Sequence, residues 1–167
     1  MVAFRLPNGK FLLFAADAQV GNWLSWHDQK YDFGDESLSA SDILGRTILY
    51  KVGHHGSHNA TLKAKGLELM VDKDLTAMIS TVETIAKEQG KPPGWLMPFE
   101  EILKELLVRC GGRVLRGDRK WADDPDTAVY RPQAEFEARL DDTEKLYVEL
   151  QVYSEATPPS RKRGAVR

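Results

Sequence analysis

Three of the four histidines in this chain, His54, His55 and His58, fall in the segment Ile48-Leu49-Tyr50-Lys51-Val52-Gly53-His54-His55-Gly56-Ser57-His58-Asn59, where an apolar run delivers them into a glycine-broken turn. Imidazole suits zinc, iron and manganese, and a strand end followed by a loop can fix the rings while leaving coordination positions open to water or substrate. Upstream, a second apolar run, Phe11-Leu12-Leu13-Phe14-Ala15-Ala16, ends in the carboxylate Asp17. Asp17 is a hard oxygen ligand able to bridge two cations about 3.5 to 4 Å apart, with one of His54 and His55 closing the second metal's shell. Such metals activate a water and polarise a carbonyl or phosphoryl oxygen. Gly56 allows the sharp turn, and Ser57, His58 and Asn59 offer donors to a substrate anion or to the groups behind the ligands.

Each of these residues also has an ordinary structural use. A strand-terminal aspartate commonly closes a turn or caps a helix, and Asn59 is placed to cap a following helix. Adjacent histidines in an extended chain point to opposite faces, so one of His54 and His55 faces a given site, and the sequence leaves open which. His58 reads as a surface group, and His27, beside Trp26, as a half-buried structural imidazole. The carboxylate and the imidazoles meet only if their two strands lie close in one sheet, as strands joined by a short crossover usually do.

The elements that must position them follow from periodicity. Val2 to Leu6 and Phe11 to Ala15 read as a hairpin around Asn8-Gly9, a pair that favours positive backbone angles. Ser39 to Leu44 predicts a short helix ended by Gly45, and Trp23 with Trp26 predicts a helical packing face. Thr47 to Val52 is a buried strand, Ala60 to Val71 a helix after Asn59, and Thr76 to Val82 another strand. Gln89 to Gly94 is a loop, and the Trp95-Leu96-Met97-Pro98 run after it either packs under the next helix or lines a substrate groove. That helix runs from Pro98 to Cys110, with Phe99, Ile102, Leu103, Leu106 and Leu107 at helical spacing and Gly111-Gly112 as the stop. Arg113 to Arg116 is a short strand, the acidic and basic residues from Asp118 to Asp126 a solvated loop, and Leu146 to Tyr153 a long half-solvated strand. The expected fold class is α/β or α+β with a mixed β-sheet and flanking helices.

The 167 residues, 42% of them hydrophobic, suffice for one domain with a substantial core. With 23 basic and 25 acidic residues the net charge is −2, which excludes an overall field that holds a protein on nucleic acid or an anionic membrane. The single cysteine, Cys110, excludes an intrachain disulfide and cysteine-based zinc clusters. There is no apolar run long enough to span a bilayer and no signal peptide, so the expectation is a cytoplasmic protein without a membrane partner. Residues 154–167, with Arg161-Lys162-Arg163, read as a basic, disordered tail able to touch nucleic acid through phosphates.

Leu12-Leu13-Phe14-Ala15-Ala16-Asp17-Ala18-Gln19 followed by Lys51-Val52-Gly53-His54-His55-Gly56-Ser57 resembles the metallo-β-lactamase superfamily, in particular its competence-type, His-His-Gly-Ser hydrolases. There a hairpin ends in Gly-Asp-Ala, whose aspartate bridges two metals, and a later strand runs into Lys-Val-x-His-His-Gly-Ser, which supplies the last histidine ligand. This chain has Ala16 where glycine is usual. Gly111-Gly112-Arg113-Val114-Leu115-Arg116-Gly117-Asp118 is similar to the family's Gly-x-x-Val-x-x-Thr-Asp run. The family's primary signature, His-x-His-x-Asp-His, is absent, and His27 follows Asp17 in the wrong order to replace it.

The resemblance thus implies the C-terminal half of an αββα sandwich over residues 1–153. It implies Asp17 with His54 or His55 as metal ligands, and zinc, manganese or iron in the complete enzyme. The implied reaction is phosphodiesterase- or nuclease-like hydrolysis through a hydroxide bridging two metals. Two ligands hold zinc poorly, so the chain alone is expected to be metal-poor and inactive. It would then need self-association or a partner that brings the missing half. The alternative is a non-catalytic binding or structural module, or a split-protein subunit, derived from the same fold.

Overall fold

The computed structural model describes residues 1–59, 61–143 and 147–153; the expected basic tail lies outside the described residues. The chain opens with strands β1 (Val2–Arg5) and β2 (Phe11–Phe14), followed by helix α1 (Val20–Trp26), the small hairpin β3 (Lys30–Asp32) and β4 (Ser37–Ser39), and helix α2 (Ala40–Gly45). Strand β5 (Thr47–Lys51) then leads through His54–Gly56, and β6 (Thr76–Ile79) leads into α3 (Glu83–Lys87) and α4 (Glu100–Arg109). Strand β7 (Val114–Arg116) precedes a run of short turns, α5 (Ala134–Glu137), and a last pair, β8 (Leu140–Asp141) and β9 (Glu149–Leu150).

The principal sheet is five-stranded and mixed, in the order β1-β2-β5-β6-β7. β1 pairs with β2 antiparallel, while β2, β5, β6 and β7 run parallel. This is the mixed α/β architecture expected, and its parallel part fixes the functional geometry. The carboxyl ends of β2, β5, β6 and β7 emerge on one edge, the edge at which open α/β sheets place ligands.

One face of the sheet carries Leu13, Tyr50, Ala77 and Val114 in register and buries them with Trp23 of α1, Leu44 of α2, and Ile102 and Leu106 of α4. The other face, at β6 and β7, packs Met78 and Leu115 against Trp121 and Phe136. Parallel strands buried on both faces explain why Thr47 to Lys51 reads as a nearly continuous apolar run.

Several expectations are corrected. Residues 61–71 form no α-helix, only the short turn Leu67–Leu69. Gly66 adopts φ −142 and ψ −95, outside the helical region, and the Leu67 and Glu68 amides reach back to the Leu62 and Lys63 carbonyls. The long strand expected over 146–153 is paired only at Glu149–Leu150, because β8 offers only two partners; Leu146 lies outside the described residues. The helix expected from Pro98 begins at Glu100 with Phe99 as its cap, since the Phe99 amide donates 2.8 Å to the Gly56 carbonyl.

The charged run after β7 is solvated only in part, with Lys120, Asp123 and Asp126 exposed. Asp124 is buried at 2% exposure, and the Asp118 side chain, at 8%, is held by Arg116 and Arg119. The Ser39–Gly45 reading agrees: the Ser39 hydroxyl accepts from the Asp42 amide and the Asp42 carboxylate accepts from the Ser39 amide, a reciprocal capping box. Among the described residues no helix is long and apolar enough to cross a membrane.

Candidate functional site

The strand-end loops that carry Asp17 and the histidines are bound to each other through backbone. Gly53 sits so close to the β2 loop that a Cβ there would stand 2.5 Å from the Ala16 carbonyl oxygen and 3.1 Å from Ala15 Cβ. That proximity lets the His54 amide donate 2.9 Å to the Ala16 carbonyl. Only glycine leaves space for this crossing, which places the residue before Asp17 against His54.

Local strain concentrates here. Ala16 (φ 50), His54 (φ 43) and His55 (φ 57) are the non-glycine residues with positive φ among the described residues, and all three belong to this edge. Each left-handed residue of this kind costs on the order of 1 kcal/mol or more, which persists only where the surroundings enforce it. The φ of 50 at Ala16 is one that glycine adopts without steric cost.

The rings are held differently. His55 Nδ1 lies 2.6 Å from the Ser80 carbonyl oxygen, so Nδ1 carries a proton and donates, and in the neutral ring Nε2 is the nitrogen with the lone pair. An imidazole whose far N–H is fixed by a carbonyl is the usual arrangement behind a metal ligand. The Thr81 hydroxyl donates 2.6 Å to the His55 carbonyl, clamping the same loop from the end of β6. His54 Nδ1 is buried with no hydrogen-bond partner among the described residues. A buried polar atom left so costs about 1 to 3 kcal/mol, and an explanation is owed for it.

Asp17, His54 and His55 line one cavity of about 880 Å³, together with Val82, Ile85 and Trp95. Both histidines therefore face the cavity; the positive φ values remove the alternation that an extended chain would impose. Ser57, His58 and Asn59 lie outside its lining. The Ser57 hydroxyl donates 2.9 Å to Asn59 Oδ1, and Asn59 has no α-helix to cap. His58 packs edge-on against Phe99, with ring centroids 6.0 Å apart. His27 is half-buried, its Nε2 2.7 Å from the Lys65 carbonyl oxygen.

Asp17, His54 and His55 bring a carboxylate and two imidazoles, groups of the kind that ligate metals, to one cavity. Among the described residues no group of three or more His, Cys, Asp or Glu converges in a way that could hold a metal ion. Sequence reasoning missed Ser80 and Thr81, which a β6 ending at the same sheet edge would have suggested. Of the two uses the sequence allowed for the Trp95 run, a groove lining or packing under a helix, the structure places Trp95, 52% exposed, and Met97 in the lining of the cavity.

Beside the site, Arg116 is buried at 3% side-chain exposure and bonded to Glu83 at 2.7 Å and Asp118 at 3.2 Å. The Glu83 carboxyl is held well below its ordinary 4.5, at about 2, first by Lys87 and then by Arg116. Burial works to raise the Asp118 carboxyl, but hydrogen bonds from Arg119, the Glu83 amide and Arg116 outweigh it and the net direction is down. This network fixes α3, which forms the apolar side of the cavity.

The fold and this edge together define a mixed α/β protein with a cavity at the carboxyl ends of its parallel strands. Comparison with family models, curated proteins and solved structures gives no match.

Proposed function

We propose that the Asp17, His54 and His55 edge is one wall of a metal-dependent hydrolase centre of metallo-β-lactamase type, acting on phosphodiesters when further ligands complete it. The observation that carries this reading is the His55 ring, turned by its Nδ1–H bond to the Ser80 carbonyl so that Nε2 is presented as a donor atom. The partnerless His54 Nδ1 and the shared cavity with Asp17 support it. When bound, a metal pair supplies a hydroxide at neutral pH and a Lewis acid for the phosphoryl oxygen. The chain's own contribution is to orient: Ser80 fixes the His55 tautomer, Thr81 fixes its backbone, and the Gly53 crossing keeps Asp17 beside them.

The shortage of converging ligands favours a second reading, in which the chain alone is a binding or structural module, or a subunit completed by a partner or a second copy. Metal counting separates the two. The purified chain is equilibrated with zinc or manganese, and bound metal is measured by plasma spectrometry with and without Asp17→Ala. Metal that the substitution abolishes supports the hydrolase-type wall; metal that is absent, or indifferent to Asp17, leaves the module.

A further inference from the structure

The cavity at the histidines is continuous in its lining with a second one, since Ser80 and Gly117 belong to both. The two differ sharply in chemistry. The first, of about 880 Å³, is walled by Val82, Ile85, Met97 and Trp95, with no lysine or arginine among its lining residues. Trp95 is held for use as a platform: its amide donates 3.0 Å to the Ala86 carbonyl, and its indole edge lies so close to Gly90 that a Cβ there would stand 2.8 Å from Nε1. One edge of the ring is thus fixed against backbone, yet the residue remains 52% exposed.

The second cavity, of about 600 Å³, is lined by Lys51, Lys120, Arg116 and Arg119, with Asp118 and Asp142 as its carboxylates. Arg116 and Arg119 are bonded to Asp118 and Glu83. Asp142 accepts 2.9 Å from the Trp121 amide. Lys51 and Lys120 have no carboxylate partner among the described residues; the Lys51 ammonium is half-buried and touches only the Val52 carbonyl, at 3.4 Å. Its burial pushes that ammonium's pKa down, a penalty that a bound anion would relieve. A ligand matched to both cavities carries a flat apolar ring at one end and an anion at the other.

We infer that the confluent cavities take a short nucleotide phosphodiester, with a base stacked on Trp95, the linkage to be cleaved at His54 and His55, and the next phosphate at Lys51 and Lys120. The placement of the cleaved linkage rests on the hydrolase reading; the two binding contacts do not. Base-on-aromatic stacking and phosphate-to-lysine contacts are the standard elements of single-strand recognition.

The test is equilibrium binding in a metal chelator, so that failure here is distinct from failure of the metal reading. The probes are 5′-phosphorylated dithymidylate, the same dinucleotide without the terminal phosphate, and inorganic phosphate. The phosphorylated dinucleotide is expected to bind more tightly than either of the others. Trp95→Ala should weaken it about tenfold or more, with Trp95→Phe restoring most of the loss and Leu96→Ala, an exposed neighbour outside this cavity, changing nothing. Lys51→Ala and Lys120→Ala should bring the phosphorylated probe down to the unphosphorylated one and flatten its salt dependence by about 0.7 in log–log slope per lost contact. No binding of the phosphorylated dinucleotide, equal binding by Trp95→Ala, or equal lysine effects on both dinucleotides would each overturn the inference.

Discussion

Glu83→Gln tests the electrostatic clamp that holds α3 beside the cavity. The Glu83 carboxylate takes the Lys87 ammonium at 2.7 Å, the Arg116 guanidinium at 2.7 Å and that of Arg119 at 3.3 Å. Its pKa is lowered from 4.5 to about 2. A carboxyl depressed on folding contributes stability that is fully present above 4.5 and is lost as pH falls through about 2. At about 1.36 kcal/mol per pH unit the whole span would be worth roughly 3 kcal/mol. The side chain is 30% exposed, and solvent screening reduces the expectation to about 1 to 2 kcal/mol.

Glutamine keeps the shape and removes the charge. Urea unfolding, followed by circular dichroism, should show the variant less stable than the wild type by about 1 to 2 kcal/mol at neutral pH. The gap should shrink to under half by about pH 3 and close as pH falls through about 2, where the carboxyl itself takes up its proton. A gap that stays constant or widens on acidification would refute the assignment of this clamp to Glu83.

Gly53→Ala should cost about 1 to 3 kcal/mol in urea unfolding, because its Cβ would meet the Ala16 carbonyl oxygen at 2.5 Å and the two loops must part; a loss under about 0.5 kcal/mol would contradict the close crossing. Ala16→Gly should stabilise the fold by up to about 1 kcal/mol, the relief at φ 50 exceeding the added chain entropy, read as a higher unfolding midpoint. Cys110 is fully buried and burial pushes its thiol up to about 12, so Ellman's reagent should leave the native protein untouched and titrate one thiol in denaturant.

The parallel core was legible because Leu13, Tyr50, Ala77 and Val114 lie in apolar runs bounded by glycine and turn residues, and burial on both faces leaves that pattern. Asp17 and the paired histidines were legible as strand-end groups for the same reason. What escaped was set by contacts distant in sequence. The joint orientation of His54 and His55 depends on positive φ enforced by the Ala16, Ser80 and Thr81 contacts, none of which has a local signature. The burial of Asp118 depends on Arg116 and Arg119, and charge composition alone reads such a run as solvated. Leu62, Leu67, Leu69 and Met70 suit a helix by type, but the Gly66 backbone breaks it.

Long-range proton–nitrogen correlation spectra of the four imidazoles, recorded through a zinc titration, test the central claim most directly. The His55 ring should be protonated on Nδ1 before zinc, and the His54 and His55 nitrogens should shift together and saturate, while His27 and His58 stay unchanged. Zinc that shifts His58 or His27 first, moves all four rings alike, or leaves His54 and His55 unmoved would contradict it.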